Sequence, residues 1–253
     1  MLILITNDDG IAAEGIRALA DSLKRIGDVV VVAPERERSA VGHAITMHKP
    51  LRTNPVSYFG SDIRAWAVNG TPSDCVKLGI EALLKEKPDM VFSGINNGPN
   101  LGTDVLYSGT VSAAVESVLL GVPSAALSLA SYDCADYSFA SGFAVSLAQN
   151  IYNEGLDGDT LLNVNIPCVP MDKINGVGIT KLGIRKYRNS FESRCDPRGQ
   201  QYYWMSGEAV NENKDIDCDI NLVAKNYIAI TPIHIELTRF DYMDRLKRWR
   251  FEI

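Results

Sequence analysis

Leu2-Ile3-Leu4-Ile5-Thr6-Asn7-Asp8-Asp9-Gly10 stands at the head of the chain, and the reading of the fold turns on it. Four consecutive apolar residues that stop abruptly at polar ones are the pattern of a short strand buried on both faces, as in a parallel sheet. Immediately downstream, Ile16, Leu19, Ala20, Leu23 and Ile26 recur at helical spacing up to Gly27, and a second apolar run covers residues 29–33. Strand, amphipathic helix and strand make a β-α-β unit.

The cycle repeats further along. Thr71-Pro72 can cap and start a helix reaching about Lys85, residues 90–92 read as a strand, another helix is expected after Gly109, and residues 122–129 return as a strand. The expected class is α/β, with a doubly wound, mostly parallel sheet and right-handed crossovers. Past about residue 160 the pattern changes to short β-like stretches, residues 161–166 and 227–230, among irregular polar segments. One α/β domain over residues 1–253 is therefore expected, with a core of about 1–160 and a β-rich extension of about 161–253. Residues 239–253 mix five aromatic or leucine side chains, Phe240, Tyr242, Leu246, Trp249 and Phe251, with five basic ones. This suits a surface helix or a helix docked on another subunit.

Bulk properties narrow the function classes. The 253 residues are 46% hydrophobic and 22% charged, as in ordinary soluble domains. A net charge of -6 offers no basic footprint for a nucleic-acid polymer. The most apolar region, residues 111–130, is interrupted by Glu116, Gly121 and Pro123, so no membrane span is expected. The first residues carry neither a basic start nor a long apolar run, which leads to a cytoplasmic expectation. Cys75, Cys134, Cys168, Cys195 and Cys218 are odd in number and show no C-x-x-C pair, so they are read as reduced thiols.

Ligands of open parallel sheets gather beyond the carboxyl ends of the strands, so the polar residues after each apolar run carry the chemistry. Asn7-Asp8-Asp9-Gly10 places two adjacent carboxylates there, which repel one another unless a cation intervenes. Hard oxygen ligands of this kind suit Mg²⁺, Mn²⁺ or Ca²⁺. An Asx turn capping the next helix is the plainer alternative. The long connection that follows contains Ser39, able to offer a hydroxyl to a metal or phosphate, and His43, a candidate acid or base. After residues 90–92 come Asn96 and Asn97, possible neutral ligands, and then Ser108-Gly109-Thr110, whose free N–H groups at a helix start form a ready phosphate site. Neither a P-loop nor a G-x-S-x-G elbow occurs.

These motifs together resemble the SurE family of survival-protein nucleotidases. The resemblance rests on residues 5–10, on Ser39 with Gly42-His43-Ala44, on Asn69 through Val76, and on Ser93 through Asn96 with Tyr107 through Thr110. It implies a Rossmann-like core and metal-assisted hydrolysis of nucleoside 5′- and 3′-monophosphates, with short polyphosphate as a further substrate. It also implies one Mg²⁺ or Mn²⁺ per subunit held by Asp8, Asp9, Ser39 and Asn96. Asp8 and Asp9 are the expected catalytic residues, and Asn7, Gly10, His43, Asn97, Ser108, Gly109 and Thr110 are the expected phosphate or substrate contacts. A homodimer or homotetramer with exchanged C-terminal segments is implied as well. Two other classes compete: a phosphatase with an attacking aspartate, which needs an Asp-x-Asp spacing absent here, and a nucleotide-sensing module without turnover.

Overall fold

The computed structural model describes residues 1–134 and 136–251. Its main sheet runs from edge to edge as β3 (Thr53–Pro55), β4 (Arg64–Val68), β2 (Asp28–Pro34), β1 (Leu2–Thr6), β5 (Met90–Asn97), β6 (Ser124–Leu129), β7 (Thr160–Ile166), β13 (Tyr227–His234) and β8 (Gly176–Ile179). Neighbours pair in parallel except β3 with β4 and β13 with β7. The α/β, mostly parallel expectation holds. The sheet also continues past residue 160, because β7, β13 and β8 extend it.

Strand periodicity sorts the core into two layers. Ile3, Ile5, Val29, Val31 and Ala33 face α1 (Glu14–Leu23) and α4 (Ser138–Glu154), while Leu4, Val30 and Val32 face α2 (Pro72–Leu78). Helix α3 (Gly109–Leu119) packs beside α2 on that second face, through Val111, Ala113, Ala114 and Val118. The start of α2 follows the sequence: Thr71 and Asp74 form a reciprocal capping box with Pro72 at the first turn. Its end does not. The α-helix stops at Leu78 and continues as a π turn, Gly79–Leu83, where Gly79 lies so close to Leu4 that a Cβ would come within 3.0 Å of its side chain.

Two antiparallel ribbons leave the sheet: β9 (Lys186–Arg188) with β12 (Glu208–Val210), and β10 (Phe191–Cys195) with β11 (Gln201–Met205). A short helix α5 (Asp219–Val223) precedes β13, and α6 (Phe240–Leu246) lies in the tail, whose last two residues fall outside the described ones. Among the described residues no helix is long and apolar enough to cross a membrane.

The reading of five separate reduced thiols is corrected. Cys134 and Cys168 are paired as a disulfide, with Cα atoms 6.3 Å apart. They follow β6 and β7, and parallel neighbouring strands deliver their exits side by side. Cys75, Cys195 and Cys218 are free.

Candidate active site

From β1 the chain winds outward to β2 and β4, then returns to β5 on the other side of β1. The carboxyl ends of β1 and β5 therefore meet at the switch point of the sheet, the place where open α/β folds bind their ligands. β1 delivers Asn7, Asp8 and Asp9 into it, and β5 delivers Asn96 and Asn97.

Asp8 is buried at 4% exposure. Its Oδ1 accepts a 2.5 Å hydrogen bond from Thr110 Oγ1, and its backbone oxygen accepts one from the N–H of Arg38 at 2.7 Å. The α3 N-terminus thus touches the acid directly. A Cβ on Gly109 would stand 2.8 Å from Asp8 Cβ, so only glycine permits this approach. Asp9 Oδ2 accepts from the backbone N–H of Asn97 at 3.1 Å, which ties the exits of β1 and β5 together. Asn7 donates to the Gly10 carbonyl at 2.9 Å, closing the turn, and Gly10 takes φ +98° there.

The electrostatics match a pair of crowded acids. Burial is the main cause that raises the Asp8 carboxyl above its ordinary value, against hydrogen bonds from Thr110 and the backbone. Burial also raises Asp9, to about 6, followed by repulsion from Asp8. The oxygen donors here have the chemistry of hard-cation ligands. Asn7 Oδ1 is buried without a partner, and Asn96 spends its Nδ2 on the Gly98 carbonyl at 2.8 Å, so its oxygen remains for another ligand. Two carboxylates and neutral oxygens are hard donors, of the type Mg²⁺ and Mn²⁺ take. Among the described residues no group of three or more His, Cys, Asp and Glu is placed to hold a metal ion by itself, so neutral oxygens would have to complete the set.

The remaining expected residues divide. Gly109 and Thr110 lie against Asp8, whereas Ser108 is the α3 N-cap, its Oγ accepting from Val111 N–H at 3.1 Å. Ser39 is exposed, and its hydroxyl donates to Glu37 Oε1 at 2.7 Å, leaving lone pairs open; its neighbour Arg38 is pinned to Asp8. His43 has its Nε2 2.8 Å from Oε2 of Glu116 on α3. With the Gly42 N–H on the Tyr107 carbonyl, and Thr46 bonded twice to Asp74, this contact fastens the long loop across α2 and α3.

One part of the site escaped the sequence reading. Asn100 donates its N–H to Asn165 Oδ1 and its Nδ2 to Ser128, while its carbonyl accepts from Asn163 and Asn165. This buried network anchors the loop leaving β5. Its signal was the Asn-x-Asn alternation in Leu161-Leu162-Asn163-Val164-Asn165-Ile166, which puts both amides on one face of a buried strand.

A doubly wound α/β protein with a crowded oxygen-donor cluster at its switch point belongs to the class that handles a small anionic ligand, with or without a metal ion. Within that class the chain belongs to the SurE family: the family described as survival protein SurE matches residues 3–189. A relative from Alkaliphilus metalliredigens, called 5′-nucleotidase SurE, is 54% identical over all of both chains. One of the same name from Moorella thermoacetica is 55% identical over 97% of this chain and 95% of its own. The crystal structure of the SurE protein from Aquifex aeolicus superposes with a TM-score of 0.86 at 40% identity, covering 98% of each chain.

Proposed function

We propose that the protein is a metal-dependent phosphomonoesterase that hydrolyses nucleoside 5′- and 3′-monophosphates, and short polyphosphate in addition. The observation that carries this reading is the pair Asp8 and Asp9 at the end of β1, with the α3 N-terminus packed directly on Asp8. Relatives called 5′-nucleotidase SurE, matched over nearly the whole chain, support the nucleotide as substrate.

Asp8 and Asp9, with Ser39 and Asn96, are the residues to hold one Mg²⁺ or Mn²⁺ per subunit. Such an ion supplies charge neutralisation at the phosphoryl group and a lowered pKa for water. The N–H groups of Gly109 and Thr110 would hold phosphoryl oxygens, since the first turn of α3 leaves them unpaired within the helix. Asn7, Gly10 and Asn97 fix the two strand exits, and either carboxylate can take the proton of the attacking water. His43 enters as an anchor of the loop through Glu116 rather than as a proton donor. A cytoplasmic homodimer or homotetramer completes the reading.

Phosphate release from a panel of nucleoside 5′- and 3′-monophosphates and polyphosphate, with Mg²⁺, Mn²⁺ or a chelator, tests it. Release that needs the metal and disappears in Asp8→Asn is expected; release unaffected by chelation overturns the metal, and none from any nucleotide overturns the activity.

A further inference from the structure

An aromatic and charged cluster beside the acid pair is not used by the chemistry above. The short 3-10 turn Gly102–Leu106 leads through Tyr107 into the start of α3. Against this turn lies the chain entering β9. Asp219, fully buried, accepts the Gly102 N–H at 2.7 Å and the Gly183 N–H at 2.8 Å, and Thr103 Oγ1 accepts the Arg185 N–H at 3.2 Å. Three bonds therefore hold residues 183–185 to the element that feeds the phosphate site.

On that base stands Tyr187. Its hydroxyl donates to Asp104 Oδ2, and Arg185 reaches the same carboxylate at 3.3 Å, with its guanidinium carbon 5.9 Å from the Tyr187 ring centroid. Both ends of the side chain are fixed, yet 46% of Tyr187 stays exposed. Burial and the bond to Asp104 push the Tyr187 hydroxyl up to about 12, and Tyr132 is among the neighbours that add to the rise. Tyr132, 70% exposed, rests its ring on Gly98, where any side chain would collide with it. Gly98 is the residue after Asn97, whose N–H bonds Asp9. One tyrosine thus stands at the β5 exit and the other above the turn leading into α3.

We infer that Tyr132 and Tyr187 form a stacking rim that takes the nucleobase of a nucleoside monophosphate whose phosphate lies at Asp8, Asp9 and the start of α3. The inference rests on the phosphomonoesterase reading and adds to it the part of the substrate that does not react. An exposed ring already held in place loses little conformational freedom on binding, and every base offers a π-face. Stacking of this kind recognises a base as a class and does not choose among bases.

The test compares adenosine 5′-monophosphate with ribose 5-phosphate, which keeps the phosphate and sugar and lacks the base. In Tyr132→Ala the KM for the nucleotide should rise roughly 10-fold or more while that for ribose 5-phosphate changes by less than about two-fold, as loss of one stacking partner predicts. Tyr132→Phe should restore the nucleotide KM. Tyr187→Leu should act in the same direction, and Tyr187→Phe, which keeps the ring and loses the Asp104 bond, should lie between. Equal shifts for both substrates, or none, overturn the stacking rim and leave the phosphatase reading standing. Should the wild type release phosphate from neither compound, that reading falls, and direct binding decides the rim. Tighter wild-type binding of the nucleotide than of ribose 5-phosphate, erased by Tyr132→Ala, supports it; equal affinities overturn it.

Discussion

Asp9 combines a cost to the fold with the ligand role proposed for it in the site. Without a cation its pKa stands near 6, against 3.8 for the free side chain. The folded protein therefore binds this proton more tightly than the unfolded chain does. The sign follows: that stabilisation is full below pH 3.8 and is lost as pH rises through about 6. Chelator-treated protein should lose on the order of 2 kcal/mol between pH 4 and 6.5 from this group, and Asp9→Asn should lack that slope. Denaturation across this range checks it; parallel curves for both proteins would show that Asp9 does not titrate as stated. The same substitution should cost roughly 10²-fold or more in turnover, the scale for removing the electrostatic centre of a transfer site. Asp8→Asn should behave alike in turnover and should likewise erase any metal-induced rise in melting temperature.

At the scale of elements, the start of α3 is the part most tightly specified. Gly109→Ala places a methyl carbon 2.8 Å from Asp8 Cβ, so the helix start must move outward by several tenths of an ångström. Helix propensity alone would favour alanine by roughly 1 kcal/mol. The expected outcome is a folded protein, by circular dichroism, with turnover lowered roughly 10²-fold, since a small misplacement in a reacting geometry is expensive; unchanged turnover would mean the contact is incidental. The paired strand exits supply another prediction. Denatured without reductant, the protein should titrate as three free thiols rather than five and yield a peptide crosslinked between Cys134 and Cys168; five thiols would refute the pairing. How far these elements were legible depended on their composition. β1, β2 and α1 are local patterns with unambiguous periods, and the polar residues after β1 mark the candidate site. The last residues of β5, Ser93-Gly94-Ile95-Asn96-Asn97, carry no strand period because they are largely polar, and the strand is completed by pairing with β6 that no local pattern reveals. α4, with Gly142 among serines and alanines, carries a weak amphipathic signal; burial against α1 gives it its place.

Over the whole molecule the imbalance lies in the last third. The core elements bury their apolar faces on the sheet, but the β10–β11 ribbon and the tail do not: Phe191, Trp204, Met205, Phe240, Trp249 and Phe251 are all exposed, and the Trp249 and Phe251 ring centroids lie 6.3 Å apart. Soluble monomers rarely leave large apolar side chains clustered this way. Aromatic side chains bury about 150–250 Å² each, so a handful of them reaches the roughly 800 Å² per partner of a standard interface. The ribbon precedes β13 in the chain and the tail follows it, so a second copy would have two separate apolar surfaces to engage. At micromolar concentration, sedimentation or light scattering should return a mass of at least two chains of 27.7 kDa. Trp204→Asp in the ribbon and Trp249→Asp with Phe251→Asp in the tail should each shift the protein toward smaller species, with far-UV spectra unchanged because these residues contribute nothing to the sheet core. A wild-type protein that stays a monomer throughout that range would show that both arms tolerate water, and the exchange of C-terminal segments would have to be abandoned.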